Sequence, residues 1–141
     1  MIAGTMPKQV EYALMALADM QDAEPGQLFA VRELSDRHQV PFDVMSKTMQ
    51  RLGRAGILRS VQGPHGGYQI IKNLSRVSLL ELMEAVVGSV ATVNCLKKGV
   101  ECPLAETCNV SGPMRVLDAR LRELYSTITL LSLIGGDSAN I

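Results

Sequence analysis

Cys95, Cys102 and Cys108 are the only cysteines of this chain, and all three fall in one short stretch. The run reads Asn94-Cys-Leu-Lys-Lys-Gly-Val-Glu-Cys-Pro-Leu-Ala-Glu-Thr-Cys108, a C-x6-C-x5-C spacing among turn-forming residues. Thiolates are soft ligands that select zinc, copper(I) or iron–sulfur clusters. Three of them on one loop come close to specifying a metal centre but leave it one ligand short. A structural zinc site takes four protein ligands, often in Cys-x2–4-Cys pairs. Neither histidine, His38 or His65, is near in sequence. Two thiols on a loop can instead close a disulfide and act as a switch. Free cysteine otherwise favours the core, which this polar segment is not.

A second group of residues offers a different chemistry. From Pro41 to Lys72 there are five cations (Lys47, Arg51, Arg54, Arg59, Lys72) and one anion (Asp43). That stretch carries +4 in a chain of net charge zero, so the remainder carries −4. Such asymmetry points to a basic face. Ser46, Lys47 and Gln50 suit base edges, while Arg51, Arg54 and Arg59 suit phosphates. Phosphate contacts position a protein on DNA and base contacts specify the site.

These residues need elements to hold them. Apolar residues at helical spacing predict helices over Pro7–Met20, Val31–His38 and Pro41–Ala55, the last ended by Gly56 as a left-handed cap. Ile57–Val61 and Tyr68–Ile71 flank Gly63-Pro64-His65-Gly66-Gly67 and read as a β-hairpin. Ser78 with Glu81 three residues on reads as a capping box opening a helix to Val87. A final helix is expected over Pro113–Ile134. Its Met114, Leu117, Leu121, Leu124, Ile128 and Leu131 recur at steps of three and four, a heptad seam for lengthwise pairing. Its length would be about 30 Å at ~1.5 Å per residue.

Two short helices joined by a tight turn and followed by a glycine-tipped hairpin make a winged helix-turn-helix. Its second helix fits the major groove, and His65 at the wing tip is placed for the minor groove or a phosphate. The fold class is therefore mainly α, with a small β-hairpin wing and a long C-terminal dimerisation helix. The expected organisation is a DNA-binding domain over residues 1–88, a cysteine-bearing loop over 89–112, a dimerisation helix over 113–134 and a disordered tail over 135–141. No apolar run reaches the ~20 residues a membrane span needs, and the first residues lack the order of a signal peptide. A cytoplasmic protein with reduced thiols is expected. Paired carboxylates, a catalytic triad and a phosphate loop in strand–helix context are all missing, so no enzyme is expected.

Taken together these features resemble a family: the IscR, NsrR and RirA group of winged-helix transcription factors, the Rrf-two family. The resemblance rests on Tyr12-Ala13-Leu14, on Arg54-Ala55-Gly56-Ile57-Leu58, on Gly63-Pro64-His65-Gly66-Gly67-Tyr68, on the three cysteines and on the terminal helix, spanning about Met6 to Ile134. It implies a homodimer on a double-stranded DNA operator, and an iron–sulfur cluster, 2Fe–2S or 4Fe–4S, held by Cys95, Cys102 and Cys108. It also implies that operator affinity follows redox state, nitric oxide, oxygen or iron supply. Three departures stand out. Ser111 occupies the place of a histidine ligand found in IscR-like members. Met15 occupies that of a first-helix histidine in others. Gln62 stands where members often carry a wing arginine. Some relatives take a carboxylate from the partner's first helix, and the matching position here is Glu11, the candidate fourth ligand. The alternatives are a metal-free thiol-switch repressor of the same fold and a zinc-stabilised winged-helix interaction module.

Overall fold

A computed structural model of the chain describes residues 6–91, 96 and 101–136. Helix α1 (Lys8–Met20) turns Val10, Ala13, Ala16, Leu17 and Met20 inward, the three- and four-residue steps that put side chains on one helix face. Helices α2 (Val31–His38) and α3 (Phe42–Arg54) follow. The hairpin β1 (Leu58–Val61) and β2 (Gly67–Ile70) pairs antiparallel, with Leu58 opposite Ile70 and Val61 opposite Gly67. A 3-10 turn (Leu74–Arg76) leads to α4 (Leu79–Val87), then α5 (Ser111–Thr127) and α6 (Leu130–Ile134). This is the expected winged helix-turn-helix. Among the described residues no helix is long and apolar enough to cross a membrane.

One core serves all these elements. Leu17, Leu34, Met45, Met49, Leu52, Leu58, Leu82, Val86 and Leu130 belong to a single buried cluster. α1 lies at its centre, packed on α3, α4 and α6. α4 is capped as expected, Ser78 Oγ accepting from the Glu81 amide at 3.1 Å. The Glu81 carboxylate lies 3.7 Å from Lys72 Nζ.

The expected continuous helix over 113–134 is a correction. The chain leaves the helical conformation at Ile128 (φ −84°, ψ 119°), and Thr129 is also extended. The reason is a backbone bridge to the entry of α4. The Leu79 amide donates to Ile128 O and the Leu130 amide to Val77 O, both at 2.8 Å. Thr129 then caps α6, its Oγ1 accepting from the Ser132 amide at 3.1 Å. The break drives Leu130 into the core, fully buried. α5 also starts two residues earlier than expected, at Ser111. Of the seam, Met114, Leu117, Leu121 and Leu124 lie on α5, Ile128 lies in the break and Leu131 on α6. In 17 residues α5 buries none. The tail from residue 137 onward lies outside the described residues.

Candidate nucleic-acid interface and cysteine loop

The helix-turn-helix is set by the three residues between α2 and α3. Gln39 adopts φ 53°, ψ 38°, the left-handed region that side chains other than glycine enter at a cost. Its amide and that of Val40 both donate to Ser35 O, and buried Ser35 Oγ donates to Val40 O at 2.6 Å. α2 is pinned to α1 through Asp19, whose Oδ2 meets His38 Nε2 at 2.7 Å and Arg37 Nη1 at 3.1 Å. His38 therefore has a structural role at the turn.

α3 buries Met45, Thr48, Met49 and Leu52 against the core. Lys47, Gln50, Arg51 and Arg54 are exposed on its outer side, and Ser46 is half-buried. Arg51 is only partly free: its Nη1 donates to Val86 O at the end of α4, 2.7 Å away. A shallow groove of about 450 Å3 between α3 and the wing brings Gln50, Arg54 and Arg59 together, with Tyr68 and Ser60 in its wall. His65 is exposed at the wing tip.

The wing is tied back to the helices by a contact that sequence reading missed. Phe29 forms an antiparallel bridge with Tyr68, each amide donating to the other carbonyl at 2.9 Å. This close approach explains Gly67, where a Cβ would lie 2.6 Å from Phe29 O. Gly66 is equally constrained, its Cβ position falling 2.1 Å from Val61 O. Two further residues were missed. Arg32 of α2 stacks on the Phe42 ring, its guanidinium carbon 4.2 Å from the centroid. Arg122 of α5 donates to Val90 O at 2.7 Å and to Glu84 Oε1 at 2.9 Å. Nothing in a linear pattern marks either, since both contacts join separate elements.

Among the described residues Cys102 and Cys108 are free thiols, each half-buried, flanking a run of turns between α4 and α5. Cys95 lies outside the described residues. Among the described residues no three His, Cys, Asp or Glu side chains are grouped closely enough to hold a metal. Two free thiols in this loop are donors of the kind an iron–sulfur cluster takes. Ser111 is exposed in the first turn of α5 and offers only a hydroxyl. Glu11 lies on α1 with its Oε2 3.0 Å from Lys8 Nζ. The hydrogen bond and charge of Glu11 hold the Lys8 ammonium above its usual pKa.

Comparison with known proteins agrees with this architecture. Residues 6–136 match the family model described as Rrf2, iron-dependent transcriptional regulator. The HTH-type transcriptional regulator IscR of Klebsiella pneumoniae (strain 342) is 31% identical over 124 residues, covering 87% of this chain and 75% of that protein. Among solved structures, CymR, the global cysteine regulator of B. subtilis, superposes with a TM-score of 0.68 at 16% identity, over 96% of this chain and 98% of that one. T. potens IscR gives 0.67 at 14% identity, over 97% and 91%. The two superpositions establish the fold. The relatives are regulators rather than enzymes, and with the family match spanning nearly the whole chain, this protein belongs to the Rrf2 family of transcriptional regulators.

Proposed function

We propose that the protein is a homodimeric, sequence-specific DNA-binding regulator whose operator affinity is governed by an iron–sulfur cluster on its cysteine loop. The observation that carries this reading is the last turn of α4. Arg51 of the recognition helix bonds to Val86 O. Arg122 of α5 bonds to Glu84 and to Val90 O. The DNA-reading helix and the helix proposed for dimerisation are thus both fastened to the few residues that lead into the cysteine loop.

In this reading α3 enters the major groove. Ser46, Lys47 and Gln50 face base edges, Arg54 and Arg59 face phosphates, and His65 reaches from the wing. Arg51 adds charge while it holds α3 to α4. The apolar residues Leu117 and Leu124 of α5, 42% and 52% exposed, pair with those of a second copy along with Met114 and Leu121. Two-fold pairing then sets half-sites about one helical turn, roughly 34 Å, apart. Cys95, Cys102 and Cys108 would hold the cluster, and the partner's Glu11 would supply the fourth ligand. A bound cluster supplies one-electron redox chemistry and iron sites open to nitric oxide or oxygen. Lys8, which holds Glu11 within one protomer, must release it for ligation across the dimer. A change in the order of the loop is felt at Val90 and Val86. A coupling of 1–3 kcal/mol suffices for a ~5–150-fold change in operator affinity.

The test is iron and sulfide analysis, with visible spectra, of protein purified without oxygen. Thiolate-to-iron charge-transfer bands are expected. Cys102→Ala should remove them while the dimer stays folded, and Glu11→Ala should keep the iron but shift the spectrum and the DNA response. A colourless protein containing zinc overturns the cluster. A colourless, metal-free protein that gains a Cys102–Cys108 disulfide on oxidation would place the control in the thiols.

A further inference from the structure

We propose that Phe42 and Arg32 form an additional base-reading element in which the Phe42 ring takes a thymine methyl and Arg32 holds the ring while engaging a phosphate. The proposal rests on the DNA-binding reading above and adds to it a pair of residues and the base they recognise.

Phe42 is the first residue of α3 and is 42% exposed. It belongs neither to the buried core nor to the partly buried apolar residues packed on it. One exposed apolar side chain is ordinary in itself. Here its place and its partner give it meaning. At ~100° per residue, Phe42 lies about 40° around the helix from Ser46 and about 80° from Gln50. It therefore borders the face that presents base-reading groups. Side chains on a helix also lean toward its N-terminus, which carries the ring beyond the first turn. In a helix-turn-helix it is the N-terminal residues of the second helix that meet base edges. An aromatic side chain at that position is suited to the thymine methyl, the one apolar group in the major groove.

Arg32 supplies the second observation. Its guanidinium carbon lies over the ring, 4.2 Å from the centroid, inside the ~6 Å range of cation–π attraction. The nearby carboxylate of Glu33 is engaged instead by Arg37 at 2.8 Å. The cation–π contact uses the charge of the guanidinium and not its N–H donors, so they remain available to a phosphate oxygen. The pair joins α2 to α3 across the tight turn at Gln39. Its ring is thereby fixed before DNA arrives, and little side-chain freedom is lost on binding.

The experiment uses the full chain and a duplex pool with a randomised centre. The best-enriched duplex is then remade with each thymine replaced in turn by uracil, which deletes only the methyl group. For the wild type, one symmetry-related thymine in each half-site should cost about four-fold in affinity, the worth of one buried methyl. Phe42→Ala should bind thymine and uracil duplexes equally at that position. Arg32→Ala should weaken all duplexes and lower the salt dependence by about one phosphate contact per protomer. The uracil series on the wild type requires no variant to fold. If no thymine shows a penalty, or if Phe42→Ala retains it, the proposal is overturned. A pool from which no duplex enriches overturns the DNA-binding reading itself.

Discussion

Replacing Leu130 by alanine tests whether the C-terminal segment is part of the DNA-binding domain's core or the end of a free rod. Leu130 is fully buried, while its neighbour Leu131 is 44% exposed. The substitution keeps both backbone bonds of the Ile128 break, the donations from Leu79 and Leu130, because neither uses a side chain. What is lost is the transfer energy of the deleted carbons and the cost of the cavity they leave. For buried Leu→Ala changes the two sum to about 2–5 kcal/mol, and the site is walled by α1 and the 3-10 turn. A loss of about 3 kcal/mol is expected, or a midpoint fall on the order of 10 °C for a domain of this size. Urea unfolding followed by circular dichroism, at several protein concentrations, provides the assay. Leu131→Ala should cost less than about 1 kcal/mol. Leu124→Ala should act mainly through assembly, with a deficit that grows on dilution. A loss below about 1 kcal/mol for Leu130→Ala, equal to that of Leu131→Ala, would refute the docked α6.

Other consequences are equally direct. Gly67→Ala places a Cβ against Phe29 O and must break the Phe29–Tyr68 bridge; the two lost hydrogen bonds predict a cost of about 1–3 kcal/mol, visible in unfolding midpoints and as faster amide exchange at Phe29 and Tyr68. Gln39→Gly relieves the left-handed backbone of the turn and should raise stability by about 0.5–1 kcal/mol; a fall in the midpoint would show the conformation to be unstrained. Arg51→Ala and Arg54→Ala should separate. The first loses its bond to Val86 O and should lower stability by about 1–3 kcal/mol. The second should leave the unfolding midpoint unchanged, weaken DNA binding uniformly across sequences and reduce its salt slope by about one.

Local signals in the chain were readable where the physics is local. The Ser78 cap, the left-handed Gly56 (φ 77°), the glycine-tipped hairpin and the buried stripes of α1 and α3 all follow from spacing and turn chemistry. The helix-turn-helix was legible because the order of those elements permits few alternatives. The Ile128 break was not. A heptad pattern continues unbroken from Met114 to Leu131, since Ile128 is apolar for a tertiary reason, its packing on the core, and a backbone bridge to Val77 and Leu79 leaves no mark on residue type. Gln39 hides the left-handed turn because a glycine would ordinarily announce it. Arg32, Arg51 and Arg122 read alike as surface cations. Only their partners distinguish them, a ring for Arg32 and the C-terminal end of α4 for Arg51 and Arg122. The cysteine spacing suggests thiolate ligation without naming a partner, and the role of Cys95 stays an expectation from sequence.

The two arginines that meet on the last turn of α4 have a consequence for the operator as well as for the loop. Free energy passed between sites through shared contacts runs equally in both directions. If order in the cysteine loop raises the affinity of α3 for DNA by some factor, operator DNA raises the loop's hold on its ligand by that same factor. The population seated on promoters and the population free in solution would then differ in their affinity for iron. At equilibrium the ligand-bound loop would persist to a lower iron supply where the regulator is already seated on a gene.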